Sequence, residues 1–336
     1  YLRGFEMGKA KFLLGRIKNM NYKQFFDKID KMHKKSGRSK AFLFYDTIMT
    51  GLKYQAGYVD YMNAEMWNMT PEQKADVITR GINNEYVIKY NDPDYLHVFI
   101  NKPEFNAMFN KYLKRDWVVI ESEEDREKFL KIIEGRDEVI VKPLNESGGT
   151  GVSKIKATPE NFEEIKPLLP VLVEELIEQE ESLASLNSSS VNSLRVVTFM
   201  KKDGTPVILA AYLRLGQGGV VDNFCSGGMI TAIDLDTGEI IGPGVDIDNN
   251  VFYQHPITGK TIVGFKIPHF DEVKKMVLEA AVMIPQLRYV GWDVAISKKG
   301  PCFIEGNEYP GHVFFNFPQH HPDGKGQRRK FESVMD

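Results

Sequence analysis

The stretch WDVAISKKGPCFIEGN at residues 292–307 contains two apolar runs separated by a short polar turn. The runs have the composition of buried β-strands, and so short a turn folds them antiparallel. This pairing can bring Asp293 opposite Glu305, while Glu305 and Asn307, two positions apart, leave the same face of their strand. Three oxygen-bearing side chains on one face suit Mg²⁺. The alternative is a row of polar strand positions exposed to solvent, although a carboxylate in so apolar a strand needs a partner.

A glycine-rich segment follows another apolar run, in the stretch VIVKPLNESGGTGV at residues 139–152. Glycines let backbone N–H groups close on phosphate oxygens, and Lys142 at the strand end adds a positive charge beside them. The segment is not a P-loop, because no Gly-Lys-Ser/Thr follows, and residue 153 onward reads as a strand rather than as the helix of a dinucleotide fingerprint. A plain β-hairpin turn is the alternative interpretation.

Two further segments carry charged residues at strand positions. Glu174 and Glu175 end an apolar strand, where backbone groups can bond an adenine edge while an acid further on takes the ribose hydroxyls. Arg195 and Arg214 lie on strands that we expect to face the same cleft, where arginine can neutralise a transferring phosphoryl group or hold a carboxylate. Arginines that serve only as salt-bridge partners are the alternative.

The composition excludes several classes of protein. The chain has 336 residues, 42% apolar and 26% charged, which excludes disordered, collagen-like and disulfide-rich mini-proteins. A net charge of −3 argues against a general nucleic-acid binder. Cys225 and Cys302 form no C-x-x-C pattern, so they give neither a disulfide framework nor a thiolate metal cage. Together with apolar runs too short to span a bilayer, this favours a reducing, cytoplasmic location.

Residues 1–40 differ from the rest, since they carry 12 Lys/Arg against 3 Asp/Glu. They read as basic helical material that ends at Ser36-Gly37. Such a helix either makes peripheral contact with an anionic membrane or polyanion, or packs as a solvated helix on its own domain. Residues 41–100 mix helical pieces, one starting at Thr70-Pro71, with short strands predicted at Glu85–Lys89 and His97–Ile100.

From about residue 101 helices and strands alternate, which predicts an α+β fold with much antiparallel sheet. The predicted strands are Trp117–Ile120, Val139–Lys142, Val171–Glu175, Leu194–Met200, Val207–Leu213, Met229–Leu235, Gly291–Ser297 and Pro301–Glu305. The predicted helices are Pro103–Leu113, Glu123–Ile133, Pro159–Leu168 and Asp271–Leu287.

The order of these motifs resembles the ATP-grasp superfamily, over roughly residues 41–326. Four segments resemble its sugar-transfer-associated subgroup: Glu174–Gln179, Leu183–Thr198, Val220–Gly228 and Glu305–Gly311. The resemblance implies two α+β subdomains that clasp ATP, preceded by a small N-terminal domain and the basic helical segment. We therefore expect domains at residues 1–40, 41–100, 101–175 with the lid and hinge, and 176–336 with the metal and catalytic strands.

The resemblance also implies roles for individual residues. Lys102 matches a lysine that reaches the α-phosphate, and Lys142 matches the strand lysine near adenine and phosphates. For the ribose, Glu181 is placed about right, but Glu178 competes. The remaining matches are the phosphate lid (Ser147, Gly148, Gly149, Thr150, Gly151, Val152), the adenine hinge (Glu174, Glu175, Leu176, Ile177), the magnesium ligands (Asp293, Glu305, Asn307), the arginines that steady the γ-phosphate (Arg214, Arg195) and substrate contacts (Asn223, Gly227, Gly228).

The activity implied by the resemblance is that of an ATP- and Mg²⁺-dependent carboxylate–amine ligase working through an acyl phosphate. Its substrates would be a small or glycan-linked carboxylate and an amine, an amino acid or amino sugar, in cell-surface polysaccharide or peptide modification. The same nucleotide site would serve a sugar or polyol kinase, and a non-catalytic nucleotide-binding module is a third interpretation. No enzyme nucleophile is expected, because positioning and charge neutralisation supply the catalysis.

Overall fold

The structure, a computed structural model, describes residues 21–144, 151–218, 224, 227–321 and 326–335. The expected sites at Ser147, Gly148, Gly149, Thr150 and Asn223 lie outside these residues, as does the first half of the basic N-terminal segment. The chain divides into two compact units, Tyr1–Glu85 with Phe315–Lys330, and Tyr86–Phe314 with Phe331–Asp336. Among the described residues, none of the helices combines the length and the hydropathy that a membrane-spanning segment requires.

The α-helices, in chain order, are α1 (Tyr22–Ser36), α2 (Lys40–Tyr54), α3 (Tyr58–Asn63), α4 (Pro71–Ala75), α5 (Arg80–Tyr90), α6 (His97–Ile100), α7 (Lys102–Met108), α8 (Arg126–Ile133), α9 (Phe162–Ile165), α10 (Glu181–Ala184), α11 (Phe270–Met283) and α12 (Arg328–Glu332). The strands are β1 (Trp117–Ile120), β2 (Glu138–Pro143), β3 (Ser153–Lys156), β4 (Val171–Glu175), β5 (Leu194–Met200), β6 (Pro206–Leu215), β7 (Met229–Ala232), β8 (Gly244–Asp246), β9 (Val251–Phe252), β10 (Tyr289–Ser297) and β11 (Gly300–Asn307).

The first unit is helical. Helix α1 buries Phe25, Ile29 and Met32, which lie on one face because they are spaced by three or four residues. Gly37 ends the helix in the left-handed conformation (φ 69°), and its N–H donates to the His33 carbonyl, so the predicted helix end is confirmed. The predicted start of α4 is confirmed too, since the Thr70 hydroxyl caps it and Pro71 occupies its first turn.

The second unit contains two antiparallel sheets. The four-stranded sheet has the order β1-β4-β2-β3, and the seven-stranded sheet has the order β11-β10-β5-β6-β7-β8-β9. Helices α8 and α9 bury Phe129 and Phe162 against one face of the smaller sheet. Helix α11 buries Val273 and Val277 in the core beneath the larger sheet. The predicted α+β class is therefore confirmed, and β1, β4 and β5 have the predicted bounds.

Two predicted strands were wrong. Glu85–Lys89 lies in α5, where Tyr86 and Tyr90, four residues apart, are both buried with ring centroids 6.3 Å apart. His97–Ile100 forms α6, and its Phe99 packs edge-on against the Trp292 ring. Both stretches are rich in aromatic and β-branched residues, but burial of the helical face outweighs that local propensity.

Close packing fixes the position of β11. Gly306 faces the core between Glu305 and Asn307, and a Cβ placed there would lie 2.6 Å from Phe105 Cε2 and 3.1 Å from Phe99 Cδ2. The two neighbouring side chains consequently point to the opposite face of the sheet.

We expect Gly306→Ala to lower the free energy of unfolding by about 1–3 kcal/mol, because the methyl group overlaps a buried ring. Urea denaturation followed by circular dichroism measures the change. In a double-mutant cycle the cost should be smaller in a Phe105→Leu background, where the ring is absent. An equal cost in both backgrounds would contradict the packing explanation.

Candidate active site

Three charged residues form a row across three adjacent strands of the larger sheet. Arg195 on β5 lies opposite Asp293 on β10, and Asp293 lies opposite Glu305 on β11. Opposed residues of an antiparallel pair share a face, so the three side chains emerge together. The predicted juxtaposition of Asp293 and Glu305 is therefore confirmed.

A local irregularity in β11 produces this alignment. Asp293 pairs with Glu305 and the next residue, Val294, pairs with Phe303, so Ile304 is an extra residue in the ladder. Such a bulge changes the direction of the side chains beside it. Without the extra residue, the register that runs from Ser297 opposite Gly300 to Val294 opposite Phe303 would put Asp293 opposite Ile304.

Asp293 is 1% exposed and is held by two arginines. Arg195 Nε lies 2.5 Å from Asp293 Oδ1, and Arg214 Nη2 lies 2.7 Å from Oδ2. Burial raises the pKa of Asp293, but the charges of Arg195 and Arg214 outweigh it and hold the pKa at about 2. Both arginines are thus salt-bridge partners of a buried carboxylate, and a role at a phosphoryl group stays a prediction.

Glu305 has the opposite electrostatic environment. Burial and the neighbouring charge of Asp293 raise its pKa, against the opposing charges of Lys142, Arg214 and Arg195. The ionised form of a carboxylate whose pKa is raised in this way is stabilised by an added cation. The nearby Asn307 Nδ2 is buried and has no hydrogen-bond partner among the described residues.

These observations fit the predicted magnesium site. Asp293, Glu305 and Asn307 offer carboxylate and amide oxygens, the ligands that Mg²⁺ prefers, and no cation of the described residues lies within ion-pair distance of the Glu305 carboxylate. The described residues contain no cluster of three or more His, Cys, Asp or Glu side chains suited to a metal ion, so the amide of Asn307 would have to complete the set. The ligand assignment stays a prediction.

A second buried ion cluster surrounds the predicted nucleotide lysine. Lys142 Nζ lies 2.5 Å from Glu174 Oε2, and Arg115 Nη2 lies 2.9 Å from Glu174 Oε1. Asn106 also donates to Oε1, at 2.9 Å. Burial raises the pKa of Glu174, but the charges of Arg115 and Lys142 hold it at about 2. The carboxylate of Glu174 is therefore committed to protein partners.

Arg115 also connects the two sheets of this unit. Besides Glu174 of β4, it donates through Nη1 to the Phe303 carbonyl of β11 at 2.5 Å. The sequence did not single out Arg115 or Asn106. Arg115 stands in the charged run Lys114-Arg-Asp116, a pattern typical of a solvent-exposed segment. No neighbouring residue indicates that its side chain is only 2% exposed.

The other predicted nucleotide contacts lie near this cluster or at the edge of the sheet. Lys102 Nζ donates to the Pro143 carbonyl at 3.1 Å, which puts it beside the end of β2. Glu175 pairs with Lys299 at 3.1 Å, and its backbone N–H donates to the Asp116 carbonyl. The chain then continues through Leu176 and Ile177, both half-buried.

For the two ribose candidates, Glu178 pairs with Lys298 at 3.0 Å, whereas Glu181 is exposed in the first turn of α10.

The glycines of two predicted binding segments lie at the starts of strands. Gly151 (φ +70°) and Val152 lead into β3, which pairs antiparallel with β2, so the hairpin topology of the alternative interpretation is present. Gly227 (φ +96°) and Gly228 lead into β7. The functions of all these residues stay predictions.

Comparison with known families gives a match to part of the chain. Residues 164–327 match the family described as sugar-transfer associated ATP-grasp. This segment is thus similar to ATP-grasp proteins. The sugar-transfer-associated ATP-grasp segment includes Arg195, Arg214 and the three candidate metal ligands, whereas Lys102 and Lys142 precede it. No curated protein matches the chain.

Several solved structures are similar to part of this chain. The ATP-grasp ligase PsnB, complexed with a phosphomimetic precursor variant, Mg and ADP, is 18% identical with a TM-score of 0.39, covering 66% of this chain and 52% of that chain. N5-carboxyaminoimidazole ribonucleotide synthetase from Thermotoga maritima is 13% identical with a TM-score of 0.40, covering 69% and 50%. D-alanyl-alanine synthetase A from Vibrio cholerae is 11% identical with a TM-score of 0.42, covering 82% and 70%. The chain thus spans about half the length of the first two.

We expect Glu174→Gln to lower the free energy of unfolding by about 3–5 kcal/mol at neutral pH, because Lys142 and Arg115 lose their buried counter-charge. Glu175→Gln is the matched control and should cost less than about 1 kcal/mol, because that carboxylate is more exposed. Urea denaturation measures both.

The pH dependence provides a further check on Glu174. Its folded-state pKa, about 2, lies below the unfolded value, so its contribution is complete above about pH 5 and is lost as the pH falls towards 2. The difference between wild type and Glu174→Gln should shrink over that range. A constant difference would contradict the ion-pair assignment.

For the candidate metal ligands we expect opposite effects on stability. Asp293→Asn should cost about 3–5 kcal/mol, because two buried arginines lose their partner. Glu305→Gln should leave the free energy of unfolding unchanged or raise it, because it removes a carboxylate whose pKa burial and Asp293 raise. Urea denaturation at pH 8 without metal or nucleotide tests this. Equal destabilisation by both variants would contradict the charge arrangement.

Proposed function

We propose that this protein is an ATP- and Mg²⁺-dependent ligase that joins a carboxylate to an amine. The observation that carries the proposal is the row of Arg195, Asp293 and Glu305 on one sheet face, with Lys142 of the other sheet close enough to lower the pKa of Glu305. Cations and carboxylates converge there, which suits phosphoryl transfer by charge neutralisation.

In this proposal the nucleotide lies between the two sheets of the second unit. Lys102 and Lys142 would bind its phosphates together with the backbone of the glycine segment. The backbone from Glu174 to Ile177 would bind the adenine edge, and Glu181 or Glu178 the ribose. Among the described residues, the amides of Leu176 and Ile177 make no backbone hydrogen bond, which leaves them available for this purpose.

The bound phosphates would also change the buried ion cluster. Lys142 is held by Glu174 through a single carboxylate oxygen, and its side chain is 15% exposed. Because Arg115 and Asn106 bond the other oxygen of Glu174, the carboxylate keeps partners when the lysine turns to a phosphate. A lysine with this alternative partner is positioned before the nucleotide arrives.

Asp293, Glu305 and Asn307 would hold magnesium, which when bound neutralises phosphate oxygens and positions them. Arg195 is fixed by Asp293 and by the Pro310 carbonyl, at 2.8 Å. Arg214 is fixed by Asp293 and by the Ser193 hydroxyl, at 2.9 Å. Both guanidinium groups are therefore oriented without a ligand, so their charge needs little reorganisation to stabilise a phosphoryl group.

The reaction has two steps. A substrate carboxylate oxygen attacks the γ-phosphorus of ATP, and ADP leaves, giving an acyl phosphate. The amine then attacks the acyl carbon, loses a proton, and displaces inorganic phosphate, giving an amide. Exclusion of water is required, because hydrolysis of the acyl phosphate would waste ATP.

The proposed substrates are a small or glycan-linked carboxylate and an amino acid or amino sugar, in the modification of cell-surface polysaccharide or peptide. The name of the matched family supports the link to sugar transfer by association only. Asn223, Gly227 and Gly228 would contact the substrate.

A product assay tests the proposal. With MgATP and panels of carboxylates and amines, we expect ADP, free phosphate and an amide in equal amounts, and turnover only when both substrates are present. A phosphorylated acceptor without free phosphate would identify a kinase instead, and absence of any turnover or nucleotide binding would contradict both enzymes.

Variants make the same assay specific to the site. Glu305→Gln should reduce turnover at least about 10²-fold while the protein stays folded. Glu272→Gln, at an exposed carboxylate of α11, is the control and should keep wild-type turnover. Equal activity of the two variants would exclude Glu305 from the site.

A further inference from the structure

A concavity of about 960 Å³ lies in the second unit, beside β1, an edge strand of the smaller sheet. Its lining comes from the turn before β1, from β1 itself, from α8 and from the turn between β10 and β11. Its lining includes Lys111, Lys114, Trp117, Val118, Lys131 and Ile132.

The lining is strongly basic. It contains seven Lys or Arg side chains against two acidic ones, in a chain whose net charge is −3. Among the described residues, no carboxylate lies within ion-pair distance of Lys111, Lys114 or Lys131. Like charges gathered around a concavity attract an anion from solution.

The concavity also borders an open sheet edge. Strand β1 is the first strand of its sheet, and no described strand pairs with its outer side. The Glu175 N–H donates to the Asp116 carbonyl, so by the alternation of an antiparallel ladder the backbone groups of Trp117 and Val119 point away from β4. An unpaired edge of this kind accepts an extended chain as an added strand.

Apolar surface lies between the cations. Trp117, Val118 and Ile132 line the concavity, and the Trp117 ring is half-buried, with its Nε1 donating to Asn110 Oδ1 at 2.9 Å. A polyphosphate has no N–H donors for the edge carbonyls and no apolar groups for these side chains. A peptide has both, and acidic side chains would meet the lysines.

We propose that this concavity binds an acidic polypeptide segment in extended conformation, which adds to the outer edge of β1. Its main chain pairs with Trp117 and Val119, and its carboxylates contact Lys111, Lys114 and Lys131. The binding requires neither nucleotide nor catalysis, so it goes beyond the proposed ligase function and does not rest on it.

The first test uses the full chain and a fluorescein-labelled decaglutamate peptide, without nucleotide, in anisotropy titrations at about 50 mM salt. We expect saturable binding that weakens at least tenfold in the Lys111→Glu, Lys114→Glu, Lys131→Glu triple variant. The control triple variant, Lys202→Glu, Lys260→Glu, Lys266→Glu, makes the same change of charge at exposed positions outside the concavity and should bind like wild type. Equal weakening in both would overturn the site.

Tryptophan emission reports on the location of the peptide. The chain has three tryptophans, of which Trp67 and Trp292 are 5% and 0% exposed, so an unlabelled acidic peptide should change mainly the emission of Trp117. The change should be absent in Trp117→Phe. A change that persists in that variant would overturn the location.

Two further ligands test the chemistry of the partner. A decaglutamate with alternate backbone nitrogens methylated keeps its charge but loses N–H donors, and should bind at least tenfold more weakly if a strand is added. Inorganic polyphosphate of matched charge should bind more weakly than the unmodified peptide. Binding of polyphosphate as tight as that of the peptide, or no effect of methylation, would overturn the assignment to a polypeptide. Thermal melting of each variant confirms that it is folded.

Discussion

The buried carboxylate of Asp293 is the constraint on which the larger sheet depends. It is 1% exposed, and its two oxygens are bonded by arginines from β5 and β6, so three adjacent strands meet at one ionic cluster. The packing around this cluster is tight. A Cβ at Gly291, which lies opposite Asn307, would be 3.0 Å from Arg195 Cδ, and this close approach explains why the residue is glycine. Removing either charge type would leave the other buried without a partner, which costs several kcal/mol.

A second cluster, around Glu174, relates the smaller sheet to the larger one within the same unit. Arg115 bonds Glu174 on β4 and the Phe303 carbonyl on β11. Lys142 approaches the other oxygen of Glu174 from β2. Lys142, the candidate for phosphate binding, is therefore positioned by the same carboxylate, Glu174, that Arg115 uses to join the two sheets. Its electrostatic environment is set before any ligand binds.

Glu305 differs from these two acids because, in the part of the chain that the structure describes, no cation forms an ion pair with it. Its pKa is raised by burial and by Asp293, while Asp293 and Glu174 have lowered pKa values. Carboxylates with such contrasting environments at one site are typical of functional positions, where stability is given up for the capacity to bind a charged ligand. This contrast is the physical basis for the prediction that Glu305 and its neighbours hold a cation.

The sequence by itself determined local features: the bounds of β1, β4 and β5, the C-terminal end of α1, and the turn that pairs β10 with β11. These follow from residue spacing and turn chemistry, which act over a few residues. The bulge at Ile304 then places Asp293 opposite Glu305. Only the tertiary structure decided that Glu85–Lys89 is helical, and that Glu174 and Asp293 have partners 59 and 98 residues distant in sequence. Such pairs depend on how sheets and helices pack together, and packing leaves no signature in the residues next to either partner.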